Sequence, residues 1–164
     1  MVSNLPRLVV ILTPLVVTAC QAATPEEPKT PAAAAAVTSA PPAPKKHKVV
    51  YHLSEAGPDK AKFVMANVQN TITGLGGMAN FDALEIVVHG PAVKTFMADT
   101  IDADLKASVD KFVGQGVILT MCGNTITKQN IDPNNLVKGC NVFQAGGVVR
   151  IVQLEEQGYT YMRP

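Results

Sequence analysis

Short, nearly unbroken apolar runs alternate with segments of helical periodicity through most of this chain, and this alternation constrains its fold most. In the helical segments, apolar side chains recur at every third or fourth residue. Apolar runs without polar alternation are typical of parallel strands buried on both faces. The pattern therefore predicts an α/β fold, with a mostly parallel sheet between layers of helices. The predicted strands cover residues 49–53, 84–88, 117–121, 141–143 and 159–162, and the main predicted helices cover 61–72, 101–113 and 147–156.

The N-terminus has the pattern of an export signal. Arg7 precedes an apolar stretch, residues 8–17, which is too short to span a bilayer because a spanning helix needs about 20 residues. The tetrapeptide Val-Thr-Ala-Cys follows and ends at Cys20, and it resembles a bacterial lipobox. We predict a signal peptide over 1–19 and a lipid anchor on Cys20. The alternative is an ordinary secretory signal, cleaved after Ala19 or Ala23, with an unmodified Cys20.

Residues 20–46 are rich in Ala and Pro and contain almost no large apolar side chain. Such a segment cannot bury enough surface to offset its chain entropy, so we predict a disordered tether that carries one domain, residues 47–164. Gln21 follows the lipobox cysteine, and the absence of Asp there resembles lipoproteins that are sorted to an outer membrane. The expected location is the periplasmic side of the cell envelope, with the membrane reached through the lipid anchor.

Composition argues against several classes of function. The net charge is +1, which gives no basic surface for a nucleic acid partner. Three cysteines are too few for a disulfide scaffold, and their spacing matches no zinc motif. No motif for an organic cofactor is present either, so we expect neither a metal nor a cofactor.

Candidate site residues follow from the strand ends. In open α/β sheets, ligands bind where parallel strands end and helices begin. His52 and His89 end the first two predicted strands, and Cys122 ends the third. A thiol before a helix N-terminus has a lowered pKa and an increased thiolate fraction. Three residues complete the candidate binding set: Gly123, which would let a ligand approach the backbone, and Asn124 and Thr125 at the helix start.

Each candidate also has a structural interpretation. Free cysteine is among the most buried residue types, so Cys122 can be a packing residue, and a histidine at a strand end can simply bind a loop carbonyl. A metal site formed by both histidines and Cys122 also stays open. Cys140 begins the fourth strand at the opposite edge, roughly 16 Å away for a five-residue strand, which disfavours a disulfide with Cys122. Residues 146–147, both Gly, precede the last helix and suggest an anion site.

With these pieces placed, the domain resembles the DsrE/DsrF-like family of small sulfur-metabolism proteins. The resemblance covers about 48–164 and rests on four segments in order: Lys-Val-Val-Tyr-His-Leu at 48–53, Glu-Ile-Val-Val-His-Gly at 85–90, Cys-Gly-Asn-Thr at 122–125, and the tail at 157–164. It implies a three-layer α/β/α sandwich with a five-stranded parallel sheet, assembled as a homo-oligomer, a trimer or hexamer. It also implies that Cys122 carries sulfur as a persulfide. Residues 123–125 depart from the surroundings of this cysteine in sulfur-relay members, and export separates the protein from their cytosolic partners.

The leading hypothesis is an envelope-tethered sulfur-handling protein that carries sulfane sulfur on Cys122, with His89 and nearby amides stabilising the persulfide anion. Its partners would be a sulfur donor or acceptor protein, or a small sulfur species. The alternative is a non-catalytic module that binds a small molecule or a protein at the same edge of the sheet. Whether the protein is an enzyme stays open.

Overall fold

The computed structural model describes residues 46–164. The predicted signal peptide, Cys20 and almost the whole tether lie outside the described residues, and their assignments stay predictions. Within the described part, none of the helices combines the length and the apolar character that a membrane span requires.

Five parallel strands form one sheet in the order β4-β3-β2-β1-β5, which confirms the predicted α/β class. The strands are β1 His47–Leu53, β2 Phe81–Val88, β3 Ile118–Cys122, β4 Cys140–Phe143 and β5 Thr160–Met162. The helices are α1 Pro58–Gly74, α2 Ala103–Gly114, α3 Gly123–Lys128 and α4 Gly147–Glu156. Short 3-10 helices at Met78–Asn80, Gly90–Phe96 and Pro133–Asn135 complete the connections.

One face of the sheet carries most of the hydrophobic core. Alternate residues of β1, β2 and β3 point to this face, where α1 and α2 cover them. Side chains four residues apart on a helix share one face, so Ala61, Val64, Met65, Val68 and Ile72 of α1 are all buried, as their spacing predicted. This large cluster fixes the positions of the strands, and thereby the positions of their carboxyl ends.

The second face of the sheet is covered, among the described elements, by α4. Its apolar cluster is small, with Ile151 and Leu154 packed on Val50 and Val87. Glu85 in β2 also points to this face and is fully buried. Nothing in the sequence indicated which basic side chain would pair with this carboxylate.

The outer side of α4 carries apolar residues. In the sequence, Val148, Ile151 and Val152 lie on adjacent turns of the predicted helix. In the structure the buried stripe consists of Gly147, Ile151 and Leu154, whereas Val148 and Val152 are 61% and 49% exposed. A turn of 3.6 residues cannot place all five on one narrow contact with the sheet. The helix therefore has an apolar side that residues 46–164 leave uncovered.

Candidate functional site

The carboxyl ends of the central strands surround a cavity of about 210 Å³. β3 lies between β2 and β4, so the segments that follow these three strands meet at one edge. The cavity is lined by His89 after β2, by Cys122, Asn124, Thr125 and Lys128 after β3, and by Ala145, Gly146, Gly147, Val148 and Val149 after β4. Four of the predicted site residues thus line a single cavity.

Cys122 is the last residue of β3 and directly precedes α3. Its side chain is 5% exposed. Burial raises the pKa of the thiol, but hydrogen bonds from the Thr125 side chain and from the backbone N–H groups of Gly147, Thr125 and Asn124 outweigh it. The pKa of Cys122 therefore lies below its ordinary value, because these donors stabilise the thiolate. The donors come from the first residues of two helices, α3 and α4.

Thr125 connects this thiol to the end of β2. Its hydroxyl oxygen accepts a hydrogen bond from the backbone N–H of Gly90 at 2.9 Å. Since the hydroxyl carries one proton and accepts at its oxygen, that proton is free to be donated to the sulfur of Cys122. Thr125 is thus oriented as a donor, which its position in the sequence could not establish.

Two glycines allow the elements around the cavity to approach closely. A Cβ atom at Gly147 would lie 3.0 Å from the Cβ of His89 and 3.3 Å from that of Cys122. A Cβ at Gly123 would lie 2.8 Å from the Cα of Gln144 and 2.9 Å from the carbonyl oxygen of Phe143. Gly123 is buried against the end of β4 and does not line the cavity. The close packing against β4 therefore accounts for a glycine at this position, and its role in ligand approach stays a prediction.

The two predicted histidines stack on each other beside the cavity. Their ring centroids are 4.6 Å apart with an interplanar angle of 22°, and Nδ1 of His52 lies 2.5 Å from the hydroxyl oxygen of Tyr161. Burial, the neighbouring His89 and Arg163 lower the pKa of His52 to about 4. Burial and Arg163 also lower the pKa of His89. Of the two, His89 lines the cavity, and the ring of His52 stacks on the ring of His89.

Sequence reasoning treated the glycines at 146–147 and Cys122 as separate features, and the structure joins them. The reason is the position of β4 beside β3, which brings the start of α4 to Cys122. Lys128, Val148 and Val149 were missed altogether. A basic residue near the end of a short helix and two adjacent valines carry no local signal of a site.

Cys140 pairs with Leu119 across the sheet, whereas Cys122 pairs with Phe143, so the two thiols lie at opposite edges as predicted. Both are free, and burial raises the pKa of Cys140. Among residues 46–164, no group of three His, Cys, Asp or Glu side chains is arranged to hold a metal ion. The alternative of a metal held by His52, His89 and Cys122 thus finds no support in the geometry.

A larger open cavity of about 640 Å³ lies at the opposite edge of the sheet, beside the starts of β1 and β2. Lys46, His47 and Lys48 line it together with Asp82. It contains no thiol and none of the predicted site residues. Its size alone therefore does not make it the better candidate.

Solved structures identify the fold. The protein of unknown function MTH1491 from Methanobacterium thermoautotrophicum matches with a TM-score of 0.61 and 27% identity, covering 73% of this chain and 100% of its own. The YchN protein from E. coli matches with a TM-score of 0.55 and 14% identity, covering 72% of this chain and 99% of its own. These neighbours share the DsrE-like fold. The domain has the DsrE-like fold.

A third protein of this fold, the conserved protein of unknown function BT1422 from Bacteroides thetaiotaomicron, matches with a TM-score of 0.50 and 14% identity. It covers 70% of this chain and 94% of its own length. No family model matches the chain. No curated protein matches it either. The DsrE-like fold is therefore established by architecture, and the chemistry has to be argued from the site.

Proposed function

We propose that this protein of DsrE-like fold handles sulfur and carries the transferred sulfur atom on Cys122. The observation that carries the proposal is the position of Cys122 beside a cavity, at the end of β3 and packed against the first residues of α3 and α4. The donors of these two helix starts lower the pKa of its thiol. A thiolate is the nucleophile in sulfur transfer, and donors that stabilise a thiolate also stabilise the anion of a persulfide.

The chemistry needs only a small sulfane donor. With thiosulfate, the Cys122 thiolate attacks the outer sulfur, a new S–S bond forms, and the S–S bond of thiosulfate breaks. Sulfite leaves with the electron pair, so two negative charges depart and the persulfide Cys122–S–S⁻ keeps one. The total charge is unchanged, and no oxidant, metal or cofactor enters the step. A polysulfide would react in the same way and leave as a shorter polysulfide.

The shape and charge of the cavity support small anionic donors. A volume of about 210 Å³ accepts thiosulfate or a short polysulfide, and a thiol that is 5% exposed is poorly placed for a cysteine on another folded protein. Lys128 at the cavity provides a positive charge, and the start of α4 adds the partial positive charge of a helix N-terminus. His89, whose pKa is lowered, faces the cavity as a neutral hydrogen-bonding group near pH 7.

The test is peptide-level mass analysis of the purified chain after exposure to thiosulfate or polysulfide. Trypsin places Cys122 and Cys140 on separate peptides, because Lys128 and Lys138 lie between them. We expect a gain of one sulfur on the Cys122 peptide and its loss in Cys122→Ser, with Cys140→Ser as the matched control. No adduct, or equal adducts on both cysteines, would contradict the proposal.

The second candidate is a non-catalytic binding module that uses the same cavity. The observation in its favour is the burial of Cys122, which is also what a packing residue shows. This module would resist thiol reagents at Cys122 in the native state, and Cys122→Ser would leave binding unchanged. Treating the native chain with iodoacetamide instead of thiosulfate, and then measuring the label on the same two tryptic peptides, separates the two candidates.

We also propose that the protein is a lipoprotein held at the periplasmic side of the outer membrane and that it assembles with copies of itself. The first proposal rests on the sequence that ends at Cys20, and the second on the family resemblance together with the uncovered valines of α4. Labelling with a radioactive fatty acid is expected in the wild type and absent in Cys20→Ala. Label in both would contradict the lipid anchor.

A further inference from the structure

The close approach of Gly147 to Cys122, where a Cβ atom at Gly147 would lie only 3.3 Å from the Cβ of Cys122, depends on the exact position of α4. Gly147 is the first residue of that helix, and Cys122 lies in the sheet beneath it. The apolar contact that holds α4 is small, with Ile151 and Leu154 as its buried large side chains. Apolar contact is also not directional, so this cluster by itself allows the helix to shift along the sheet.

A partly buried ion pair provides the directional contact. Arg150, in the first turn of α4, donates from Nε to Oε1 of Glu85 at 2.8 Å and from Nη2 to Oε2 at 2.7 Å. Thr120 donates to the same Oε1 at 2.7 Å, and the guanidinium lies 5.5 Å from the ring centroid of Phe143. A two-point contact of this kind fixes both distance and orientation.

This ion pair connects the central strands of the sheet to the first turn of α4. Glu85 is fully buried in the middle of β2, next to β3, and Arg150 is three residues after Gly147. Such an ion pair contributes little net stability compared with apolar side chains of the same size, because Glu85 loses all of its hydration and Arg150, whose side chain is 24% exposed, loses most of its own. A role in fixing the position of α4 therefore explains this ion pair better than a role in stabilising the fold.

We propose that the Glu85–Arg150 ion pair is a positioning device that holds the N-terminus of α4 over the sulfur of Cys122. Its use in sulfur transfer rests on the function proposed above, but the positioning itself does not. Neither residue lines the cavity, so both act through Gly147.

The test measures the pH at which Cys122 becomes half ionised, from the rate of iodoacetamide labelling of the full chain at a series of pH values. Cys140 in the same molecules is the internal reference, because it lies at the opposite edge of the sheet. The main variant combines Glu85→Leu, Thr120→Val and Arg150→Met, which keeps the buried volume and leaves no unpaired charge. The control combines Lys106→Met and Asp110→Leu, which removes the exposed ion pair of α2.

In the main variant we expect the Cys122 midpoint to rise and its labelling near pH 7 to slow about fivefold, the equivalent of one net hydrogen bond of about 1 kcal/mol. Cys140 and the control should not change. Arg150→Lys, which keeps the charge but only one contact, should lie between wild type and the main variant, and it decides the question if the main variant does not fold. An unchanged Cys122 midpoint, or equal changes at both cysteines, would overturn the proposal.

This readout does not require sulfur loading. A shifted midpoint in a protein that takes up no sulfur would keep the positioning role and remove the proposed function. Sulfur uptake with an unshifted midpoint would keep the proposed function and remove the positioning role.

Discussion

At the residue scale, the thiol of Cys122 shows how neighbours can reverse the effect of burial. Desolvation alone raises the pKa of a cysteine, as it does at Cys140. At Cys122 four donors act in the other direction, and the pKa falls. The difference between two cysteines of one small sheet therefore lies in the donors around each sulfur, which at Cys122 are the Thr125 hydroxyl and three backbone N–H groups and at Cys140 only its own backbone N–H.

Replacing Thr125 by Val removes one of these donors and keeps the side-chain shape. We expect the pKa of Cys122 to rise and its alkylation near pH 7 to slow about fivefold, because one net hydrogen bond contributes about 1 kcal/mol. The backbone N–H of Gly90 also loses its acceptor, which should lower the free energy of unfolding by about 1–3 kcal/mol.

Thr127→Val on the exposed side of the same helix is the matched control for this change. It should alter neither the alkylation rate of Cys122 nor the free energy of unfolding. Equal alkylation rates in the two variants would show that the Thr125 hydroxyl does not stabilise the thiolate.

His52 makes stability depend on pH. Its pKa is about 4 in the folded protein, against 6.5 for an unperturbed histidine, so the unfolded chain binds the proton more readily. The stabilisation is fully present above pH 6.5 and is lost as the pH falls towards 4. His52→Phe keeps a ring beside His89 and removes this titration, so its urea midpoint should fall less between pH 7 and pH 5.

His47→Phe, at an exposed position on the same strand, should keep the wild-type dependence and serves as the control. A His52→Phe variant that loses as much stability as the wild type would contradict the assignment of this dependence to His52.

At the element scale, α4 combines three tasks: it covers the second sheet face, donates to Cys122 and forms a wall of the cavity. It can approach the sheet closely because its first residue has no side chain. The helix N-terminus is consequently part of the site and not only a neighbour of it.

We expect Gly147→Ala to push α4 away from the sheet, since the added methyl group meets His89 at 3.0 Å and Cys122 at 3.3 Å. Overpacking of this kind should lower the free energy of unfolding by about 1–3 kcal/mol, measured by urea denaturation, and should raise the pKa of Cys122. At the end of α2, a Cβ on Gly114 meets nothing within 4 Å. Gly114→Ala should therefore be neutral or stabilising by up to about 1 kcal/mol, and a Gly147→Ala variant as stable as this control would show that the contact relaxes freely.

At the scale of the whole molecule, the two sheet faces are unequally covered. α1 and α2 bury one face within a large core, whereas α4 leaves Val148, Val149 and Val152 exposed on its outer side. Adjacent apolar side chains on the surface are typical of protein contacts. This asymmetry supports the proposed self-assembly through α4.

We expect the wild-type chain to sediment as a trimer or hexamer, the states that the family resemblance implies. Val152→Glu should shift the protein towards smaller species, because a charge in an apolar contact loses its hydration without a partner. Phe63→Glu, equally exposed but on α1, is the control and should not change sedimentation. A monomeric wild type, or equal dissociation in both variants, would contradict assembly through α4.

The sequence by itself determined the α/β class and the candidate residues at the strand ends. Apolar runs and helical spacing are local patterns, and the end of a parallel strand is readable wherever the run stops. His89, Cys122, Asn124 and Thr125 were found in this way, and the structure places them around one cavity. Gly123 was found too, but its role in packing against β4 was not.

Only the tertiary structure decided which strand ends are neighbours. β4 lies beside β3, and this order brings the start of α4 to Cys122 and joins two features that the sequence kept apart. It likewise pairs Glu85 with Arg150, which are 65 residues apart. Contacts between residues so distant along the chain follow from the packing of whole elements on a shared core, and no local pattern encodes them.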